Sequence, residues 1–472
     1  MQDLPEFFED HLQEWMTGFV EILKYSNPAL AVDDEETEPT PVSIVQAEVV
    51  ETLALFMSKY EEEFQPFLGT CLGHVWALLT STTLAPHFDL LVTTAIRFLT
   101  TVACSVHHHH FAQAEVLLEV CQKIIAPNMA LLAADEELFE ENPFEYVRKD
   151  IEGSDADTRR RVSVELVRGL CRNYEAQVTD LFSKNIRSLL DQYASNPSAN
   201  WKAKDVAIYL IIALTIKGGT SKLGATQTNT LVDLLDFYVK HVAPELAAAA
   251  SRTPPHPVLV ADAVKFVTVF SVQLPRATYE TVLPQLIALL ASPNLVVHTY
   301  AAAAIERMLT VREAPTVGAL AGTLGERRIG TQMLSPMLQP LLTSLFSILQ
   351  RQGSEENAHV MRAIMRVAVV AEGAMAPYVT VCVEALKSIL GRVCANPSNP
   401  TFNHFLFETV AALVKYICAA SPAAVNAFEQ LLFPPFQTVL QMDIAEFTPY
   451  VFQVRKAAAR APLTALTLSN SS

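Results

Sequence analysis

The chain has 472 residues, of which 51% are hydrophobic and 18% are charged, and its formal net charge is −16. An acidic protein has no electrostatic attraction for phosphate backbones, so the charge argues against nucleic acid as the main partner and favours basic proteins. Fifteen glycines are too few for the tight turns of doubly wound sheets or barrels, and the high apolar content excludes an intrinsically disordered chain.

The cysteines do not indicate a disulfide framework, and the apolar runs do not indicate a membrane span. Seven cysteines are scattered without a C-x-x-C pair, which indicates buried reduced thiols in a cytosolic or nuclear protein. The most apolar run, 206–216, is bounded by Lys204 and Lys217 and is shorter than the ~20 residues that cross a bilayer. A longer stretch, 363–386, contains charged residues and a proline. We therefore expect a soluble protein with no membrane insertion.

Apolar residues repeat at helical spacing along the chain. Leu283, Leu286 and Leu290, for example, lie on one face of a helix. No run of alternating β-branched residues is bounded by a hairpin signal, so no hairpin is predicted. The predicted helices form nine pairs with short connectors: 4–24 with 43–59, 62–80 with 87–104, 112–132 with 156–173, 177–194 with 201–217, 226–246 with 257–271, 278–291 with 295–311, 334–350 with 356–372, 377–394 with 401–419, and 423–441 with 444–454.

Pairs at this spacing are typical of HEAT or armadillo units, which have roughly 40–47 residues each. In such an array each pair buries its apolar face against the next one, and the stack curves into a superhelix with an extended concave binding face. The sequence therefore predicts an all-α fold, an α-α superhelix (a HEAT-repeat solenoid) of about nine helix pairs.

Three segments interrupt the regular spacing. The connector 26–41 is acidic, and the connector 311–331 is rich in glycine and alanine and is expected to be flexible. The third segment, from about 131 to 161, has ten acidic and two basic residues between Asp135 and Asp157, a net charge of −8, and three arginines follow it. A run of this kind stays solvated unless a basic surface meets it.

Two interpretations of this acidic insertion remain open and are compatible. In the first, it is a solvated loop that Phe139, Phe144 and Tyr146 pin to its own repeats, with Ser154 or Asp155 capping the next helix. In the second, it binds a partner by offering carboxylates to lysines and arginines of another protein, where such charges set the association rate and the choice of partner.

Long, specific strings of residues occur in the same order as in a known protein family. The strings are QDLPEFFED (2–10), KYEEEF (59–64), YVRKDIEGSD (146–155), DTRRR (157–161), NPS (196–198), NWK (200–202), VHTYAA (297–302), NPS (396–398), EF (446–447) and PYVFQV (449–454). In these strings the chain resembles the exportin-2 family, also called the cellular apoptosis susceptibility family, of the importin-β superfamily. The resemblance covers about residues 1 to 454 and implies a central fragment.

The resemblance implies a nuclear export receptor, or karyopherin, that binds importin-α together with Ran-GTP, the GTP-bound form of the small GTPase Ran. It implies shuttling between nucleus and cytoplasm, contact with nuclear pore proteins, and neither a cofactor nor an enzymatic activity. In the family the acidic insertion contacts Ran. The candidate Ran contacts carried over are Glu136, Glu137, Glu140, Glu141, Asp150, Asp155, Asp157, Arg159, Arg160 and Arg161.

The resemblance also implies a division of the chain. It gives central HEAT repeats over 1–132, the acidic insertion over 133–161, further central repeats over 162–332, the start of the carboxy-terminal repeat region over 333–454, and a divergent, disordered tail over 455–472. The family's amino-terminal Ran-binding repeats and the rest of its carboxy-terminal arch are expected to be missing. Two alternatives stay open: a generic HEAT-repeat scaffold for another complex, and a truncated paralogue that transports nothing.

Other motifs receive no functional assignment. The run 107–110 of four histidines is expected to be an exposed polar loop, because zinc ligands at helical spacing are lacking nearby. The segment 217–222 lacks the phosphate-loop pattern and is interpreted as a flexible turn. Trp15, Trp76 and Trp201 are expected in the core. No nucleophile or metalloprotease motif occurs in a credible context, so no enzyme is predicted.

Overall fold

The computed structural model describes residues 6–152, 158–220, 224–249, 256–313, 325–420, 424–441 and 446–459. The chain divides into two compact units, Met1–Phe237 and Tyr238–Ser472. Helices dominate both units, and the single sheet in the described part of the chain has two short strands.

The first unit consists of stacked helices in two layers. One layer is formed where α3 packs on α5, α5 on α10, and α10 on α11, and in the other layer α2 packs on α4. The helices are α1 (Glu6–Asp10), α2 (Leu12–Lys24), α3 (Pro41–Lys59), α4 (Glu61–Ser81), α5 (Asp89–Cys104), α6 (Ala114–Glu119), α7 (Ala126–Met129), α8 (Ala133–Glu141), α9 (Pro143–Val147), α10 (Arg159–Ser195), α11 (Trp201–Thr215) and α12 (Leu234–Phe237).

Local sequence signals explain where several of these helices begin and bend. Pro41 occupies the first turn of α3, and the side chain of Thr40 accepts a hydrogen bond from the Ser43 backbone N–H at 3.1 Å. The two helices predicted over 156–173 and 177–194 join into α10 across a kink at Tyr174, where φ is −129° and ψ is 34°.

The histidine run packs against this kink. His107 is 7% exposed, and its Nε2 atom lies 3.1 Å from Oε1 of Glu61. The Tyr174 hydroxyl donates to the carbonyl oxygen of His108 at 2.8 Å, and Phe111 is buried. The expectation of an exposed polar loop is therefore wrong for His107. No group of three or more potential metal ligands occurs among the described residues.

A two-stranded antiparallel hairpin, β1 (Ile216–Thr220) and β2 (Gly224–Thr228), follows α11. The prediction of no hairpin is wrong, and 217–220 belong to a strand rather than to a turn, whereas 221 and 222 lie outside the described residues. The hairpin is held by tertiary contacts rather than by a strong local signal: Lys217 Nζ lies 2.6 Å from Glu175 Oε1. In addition, Asn229 just after β2 donates to the Thr179 hydroxyl at 2.9 Å.

The second unit repeats the same kind of helix stacking. One layer runs from α14 through α16, α19 and α21 to α23, and α20 packs on α22. Asn357 caps α19 by accepting from the His359 backbone N–H at 3.1 Å, and its amide donates to Thr299 of α16 at 2.7 Å. The helices are α13 (Ala243–Ala249), α14 (Pro257–Val269), α15 (Arg276–Leu289), α16 (Leu295–Thr310), α17 (Thr331–Leu334), α18 (Leu338–Ile348), α19 (Ala358–Ala371), α20 (Val379–Ala395), α21 (Pro400–Ala420), α22 (Ala424–Gln441) and α23 (Thr448–Ala459).

The structure describes only part of two segments that were predicted to be irregular. The ends of the connector 311–331 are ordered by an antiparallel bridge between Arg312 and Arg327, and its central residues 314–324 lie outside the described part. Helix α23 continues to Ala459, so the first residues of the predicted disordered tail are helical. Residues 460–472 of that tail also lie outside the described part.

Four helical stretches are long and apolar enough to cross a membrane by length and composition: Pro41–Lys59, Pro86–Cys104, Ala114–Glu141 and Ala358–Ala395. In each stretch, between 39% and 61% of the most apolar 18-residue segment is buried inside the protein. Packing between helices accounts for this apolar surface, and the absence of membrane insertion stays a prediction.

The prediction of buried reduced thiols is confirmed for most of the cysteines, whereas one of the three tryptophans expected in the core is exposed. All seven cysteines are free thiols, and five of them are buried. Burial raises the pKa of Cys71 to about 11, so this thiol stays protonated near neutral pH. Trp15 is 43% exposed and stacks beside Phe8, so its expected place in the core is wrong. Trp76 and Trp201 are half-buried.

Candidate functional site

The acidic insertion of the first unit is built largely from short helices. The Leu132 backbone N–H donates to a carboxylate oxygen of Asp135 at 3.1 Å at the start of α8. Asn142 ends α8 and caps α9, and a π-helical turn, Arg148–Glu152, follows. Residues 153–157 lie outside the described part of the chain.

Two aromatic side chains of the insertion are buried. Phe139 is 4% exposed and Tyr146 is 6% exposed, and their rings meet edge to face with centroids 5.0 Å apart. Val147 is buried beside them, whereas Phe144 remains 45% exposed. The burial of Phe139 and Tyr146 agrees with the first interpretation of the insertion, and it helps a segment of high charge to keep a defined position.

Helix α11 holds both ends of the insertion by polar contacts. Lys202 Nζ forms an ion pair with Glu136 of α8. The Tyr209 hydroxyl donates to Oδ1 of Asp150 at 2.7 Å. We call these two contacts the α11 latch. Because of it, two of the predicted Ran-contacting carboxylates already have partners within the chain.

Arg159 is taken into the interior at the start of α10. Its side chain is 5% exposed and donates to Asp89 Oδ1 at 2.6 Å, to Asn128 Oδ1 at 3.1 Å and to the Ala85 carbonyl at 2.9 Å. The guanidinium thus joins α5, α7 and the loop before α5 through a fork of donors that a lysine does not possess. In this conformation Arg159 is a structural residue and does not face a partner.

Arg160 is also directed inward. It forms an ion pair with Asp205, which is 0% exposed, and it donates to the Met129 carbonyl at 2.9 Å. Its guanidinium lies 4.0 Å from the centre of the Tyr209 ring, a cation–π contact with the latch tyrosine. Asp205 therefore has its compensating charge within the chain, as a buried carboxylate requires.

Arg161 and the outer side of α8 both reach solvent. Arg161 is exposed, and its Nε lies 3.5 Å from Glu165 one turn along α10. Glu137, Glu140 and Glu141 are exposed on α8, and we call them the outer carboxylate face. Like charges at this spacing destabilise a helix slightly, so a purely structural role does not explain them.

The remaining predicted residues do not reach this face or are not described. Asp155 and Asp157 lie outside the described residues, as does Ser154. The cap of α10 is instead Thr158, whose hydroxyl accepts from the Arg161 backbone N–H at 3.2 Å. On α9, Glu145 pairs with Arg148 at 2.8 Å, and the hydrogen bond from Arg148 lowers the pKa of Glu145.

Reasoning from sequence missed the residues of α11 and α5 that organise the insertion. Asp205 offers a signal that could have revealed one of them, since a carboxylate among the buried apolar residues of α11 requires an internal cation. Lys202 and Tyr209 carry no such signal, because each looks like an ordinary boundary or core residue of a helix.

Solved structures share the fold of this chain. The exportin Cse1 in its cargo-free, cytoplasmic state is 35% identical with a TM-score of 0.84, and the match covers 98% of this chain and 48% of that one. Kap121p bound to Pho4p is 15% identical with a TM-score of 0.59, and the match covers 97% of this chain and 39% of Kap121p. This match shows similarity of fold alone. The predicted all-α HEAT-repeat class is confirmed.

The sequence comparisons define the family. The Cse1 family model matches residues 1–305, and the model of the CAS/CSE protein carboxy-terminus matches residues 306–458. Exportin-2 of Xenopus laevis and exportin-2 of Homo sapiens are each 44% identical over 454 residues, which is 96% of this chain and 46% of the relative. The chain belongs to the Cse1, or exportin-2, family, as the strings in its sequence predicted. It spans about half the length of these curated relatives.

Proposed function

We propose that the chain is a segment of a nuclear export receptor that binds Ran-GTP and importin-α for the re-export of importin-α from the nucleus. Membership of the Cse1 family supports this function, since the relatives carry the name exportin. The proposal includes shuttling between nucleus and cytoplasm and contact with nuclear pore proteins. It also includes the division of the chain at 132, 161, 332 and 454 into repeats, insertion and tail.

The single observation that carries the proposal is the outer carboxylate face of the insertion. Glu137, Glu140 and Glu141 point to solvent, while Arg159 and Arg160 beside them are used inside the protein. The insertion thus offers uncompensated negative charge on a support that aromatic residues and the α11 latch fix in place. A surface of this kind suits a basic patch on a protein partner.

The predicted Ran contacts take different parts in this proposal. The outer carboxylate face makes the first contact, and Asp155, Asp157 and Arg161 join it at the end of the insertion. Glu136 and Asp150 reach Ran only after they leave the α11 latch. Arg159 and Arg160 position the insertion rather than bind Ran.

The experiment measures the association rate of GTP-loaded Ran with the chain by stopped-flow fluorescence at several ionic strengths. The variant Glu137→Gln/Glu140→Gln/Glu141→Gln removes the charge of the face and retains its shape. We expect association to slow by about tenfold at low salt, and the difference to shrink as salt screens the charges. The control Glu48→Gln/Glu51→Gln/Glu115→Gln changes three other exposed carboxylates of the same unit.

Two outcomes argue against the proposal. If both triple variants associate with Ran at the same rate and with the same dependence on salt, the outer carboxylate face meets only water. Capture of importin-α that is identical with and without GTP-loaded Ran, when the family's amino-terminal repeats are joined to the chain, indicates instead a generic HEAT-repeat scaffold.

A further inference from the structure

A group of arginines lies in the second unit, where the layer of α16 and α19 meets the connector between α16 and α17. Two of them lie on α19, one is near the end of α16, and three flank the undescribed centre of the connector. We call the group the arginine cluster. Its members are Arg307, Arg312, Arg327, Arg328, Arg362 and Arg366.

Backbone pairing brings the two ends of the connector together. Arg312 and Arg327 face each other in an antiparallel bridge. The Glu313 backbone N–H donates to the Glu326 carbonyl at 2.8 Å, and the Arg328 backbone N–H donates to the Val311 carbonyl at 3.1 Å. The arginines that flank the connector are therefore held on a paired backbone beside α19.

Four members of the cluster are used largely within the fold. Glu306 is a buried carboxylate that accepts from Arg366 at 3.0 Å and lies 3.4 Å from Nε of Arg362. Arg307 donates to the Ser271 hydroxyl at 3.1 Å. Arg328 lies 3.1 Å from Glu313 and donates to the Leu274 carbonyl at 2.7 Å.

The other two arginines give the cluster its surplus of positive charge. Arg312 donates to the Gly325 carbonyl at 2.9 Å, and Arg327 donates to the Val369 carbonyl at 3.4 Å. Carbonyl oxygens are neutral, and neither arginine has an ion pair within 4.0 Å among the described residues. Burial lowers the pKa of Arg327, and the charges of Arg312 and Arg366 add to that effect.

The surrounding sequence does not neutralise this surplus. The six arginines are accompanied by Glu306, Glu313, Glu326 and Glu372, which leaves a net charge of +2 in a chain whose net charge is −16. Residues 314–324 contain no charged side chain. A local concentration of arginine in so acidic a protein has an electrostatic cost unless an anion meets it.

We propose that the arginine cluster is a docking surface for a short acidic peptide segment of a partner protein. A guanidinium pairs with a carboxylate through two parallel hydrogen bonds, and Arg312 and Arg327 each have donors to spare for such pairs. Arg362 lies 5.4 Å from the centre of the Phe405 ring, a cation–π contact that restrains its guanidinium. A nucleic acid fits less well, because its extended negative charge would meet the acidic remainder of the chain.

The test is fluorescence anisotropy of the full chain with a fluorescein-labelled peptide of alternating glutamate and glycine. We expect Arg312→Gln/Arg327→Gln to weaken binding by about tenfold or more, since each substitution removes a charged donor. Arg312→Lys/Arg327→Lys keeps the charge and loses the paired donors, so a partial loss is expected. The matched control Arg276→Gln/Lys387→Gln removes two charges from α15 and α20 and should bind like the unmodified chain.

Three results would overturn the proposal. The first is equal affinity of the Arg312→Gln/Arg327→Gln variant and its control. The second is equal binding of a glutamine–glycine peptide, and the third is tighter binding of single-stranded oligothymidylate than of the acidic peptide. If the double variant loses its helical circular dichroism signal, the single variant Arg362→Gln is tested in its place. In that variant the buried Glu306 still has Arg366 as its ion-pair partner. Unchanged peptide affinity in Arg362→Gln would then count against the proposal.

Discussion

Two sets of ion pairs, one in each unit of the chain, bury opposite members. Around the insertion of the first unit, Arg159 is 5% exposed, whereas the side chain of its partner Asp89 is 53% exposed. In the second unit the carboxylate of Glu306 is 8% exposed, and its partners Arg362 and Arg366 are 39% and 27% exposed. At these two places solvent therefore meets a carboxylate on the first unit and guanidinium groups on the second.

This difference separates what folding fixes from what a partner encounters. A charge that leaves water must be paired, so the buried member of each pair is determined by the fold. The exposed surplus is not needed for folding and sets association rate and partner choice. The outer carboxylate face and the arginine cluster are therefore expected to serve partners of opposite charge.

The largest effect is expected where the first unit buries its cation. Arg159→Ala removes the guanidinium that donates to Asp89, Asn128 and the Ala85 carbonyl. The buried Asn128 side-chain oxygen and the buried Ala85 carbonyl oxygen then lose these hydrogen bonds. We expect a loss of about 3 kcal/mol in the free energy of unfolding, because the orphaned acceptors remain inside. Urea unfolding checks this, with the exposed Arg187→Ala on the same helix as the control. A loss as small as that of the control would show that Arg159 is no more structural than a surface arginine.

The second unit buries a histidine in its neutral form, and this makes the unit less stable in acid. His298 is 2% exposed, its Nδ1 donates to the Ser292 carbonyl at 3.2 Å, and its Nε2 accepts from the Ser354 hydroxyl at 3.1 Å. Burial lowers the pKa of His298 to about 4, and Arg351 acts in the same direction. The unfolded chain therefore binds a proton more readily than the folded one between about pH 4 and 6.5.

Stability contributed by neutral His298 is complete above pH 6.5 and declines as the pH falls towards 4. We expect the unit to be about 2 kcal/mol less stable at pH 5 than at pH 8 through this residue alone. Urea unfolding at the two pH values measures the difference. His298→Gln should remove that part of the pH dependence, whereas His74→Gln of the first unit should retain it. An unchanged pH dependence in His298→Gln would contradict the assignment.

The sequence predicted most of the helices because apolar periodicity is a local property, but the start of the predicted helix 226–246 is wrong, since β2 covers Gly224–Thr228 and α12 begins at Leu234. It did not predict the side of the structure on which a charge lies, since the partners of Arg159 and His107 are distant in the chain. A run of arginines or histidines looks solvated when only its neighbours are considered. The hairpin of β1 and β2 was missed for the same reason, because contacts with Glu175 and Thr179 hold a segment whose glycines indicate a turn.

The smallest effect should come from the α11 latch, which decides how many carboxylates the first unit exposes. Tyr209→Phe removes the hydroxyl that donates to Asp150 at 2.7 Å and keeps the ring on which Arg160 stacks. A single hydrogen bond to a charged acceptor that remains partly solvated contributes about 1 kcal/mol, so the insertion should open about fivefold more often. Amide hydrogen exchange over 143–152 measures this opening, and Tyr60→Phe serves as the control.

The direction of the accompanying change in Ran binding distinguishes two functions of the latch. If Asp150 joins the outer carboxylate face only after release, Tyr209→Phe should speed association with GTP-loaded Ran while the insertion exchanges faster. Faster exchange with slower association would mean that the latch pre-organises the face. In that case the rigid support matters more than the additional charge, and the contrast between the two units concerns geometry as much as sign.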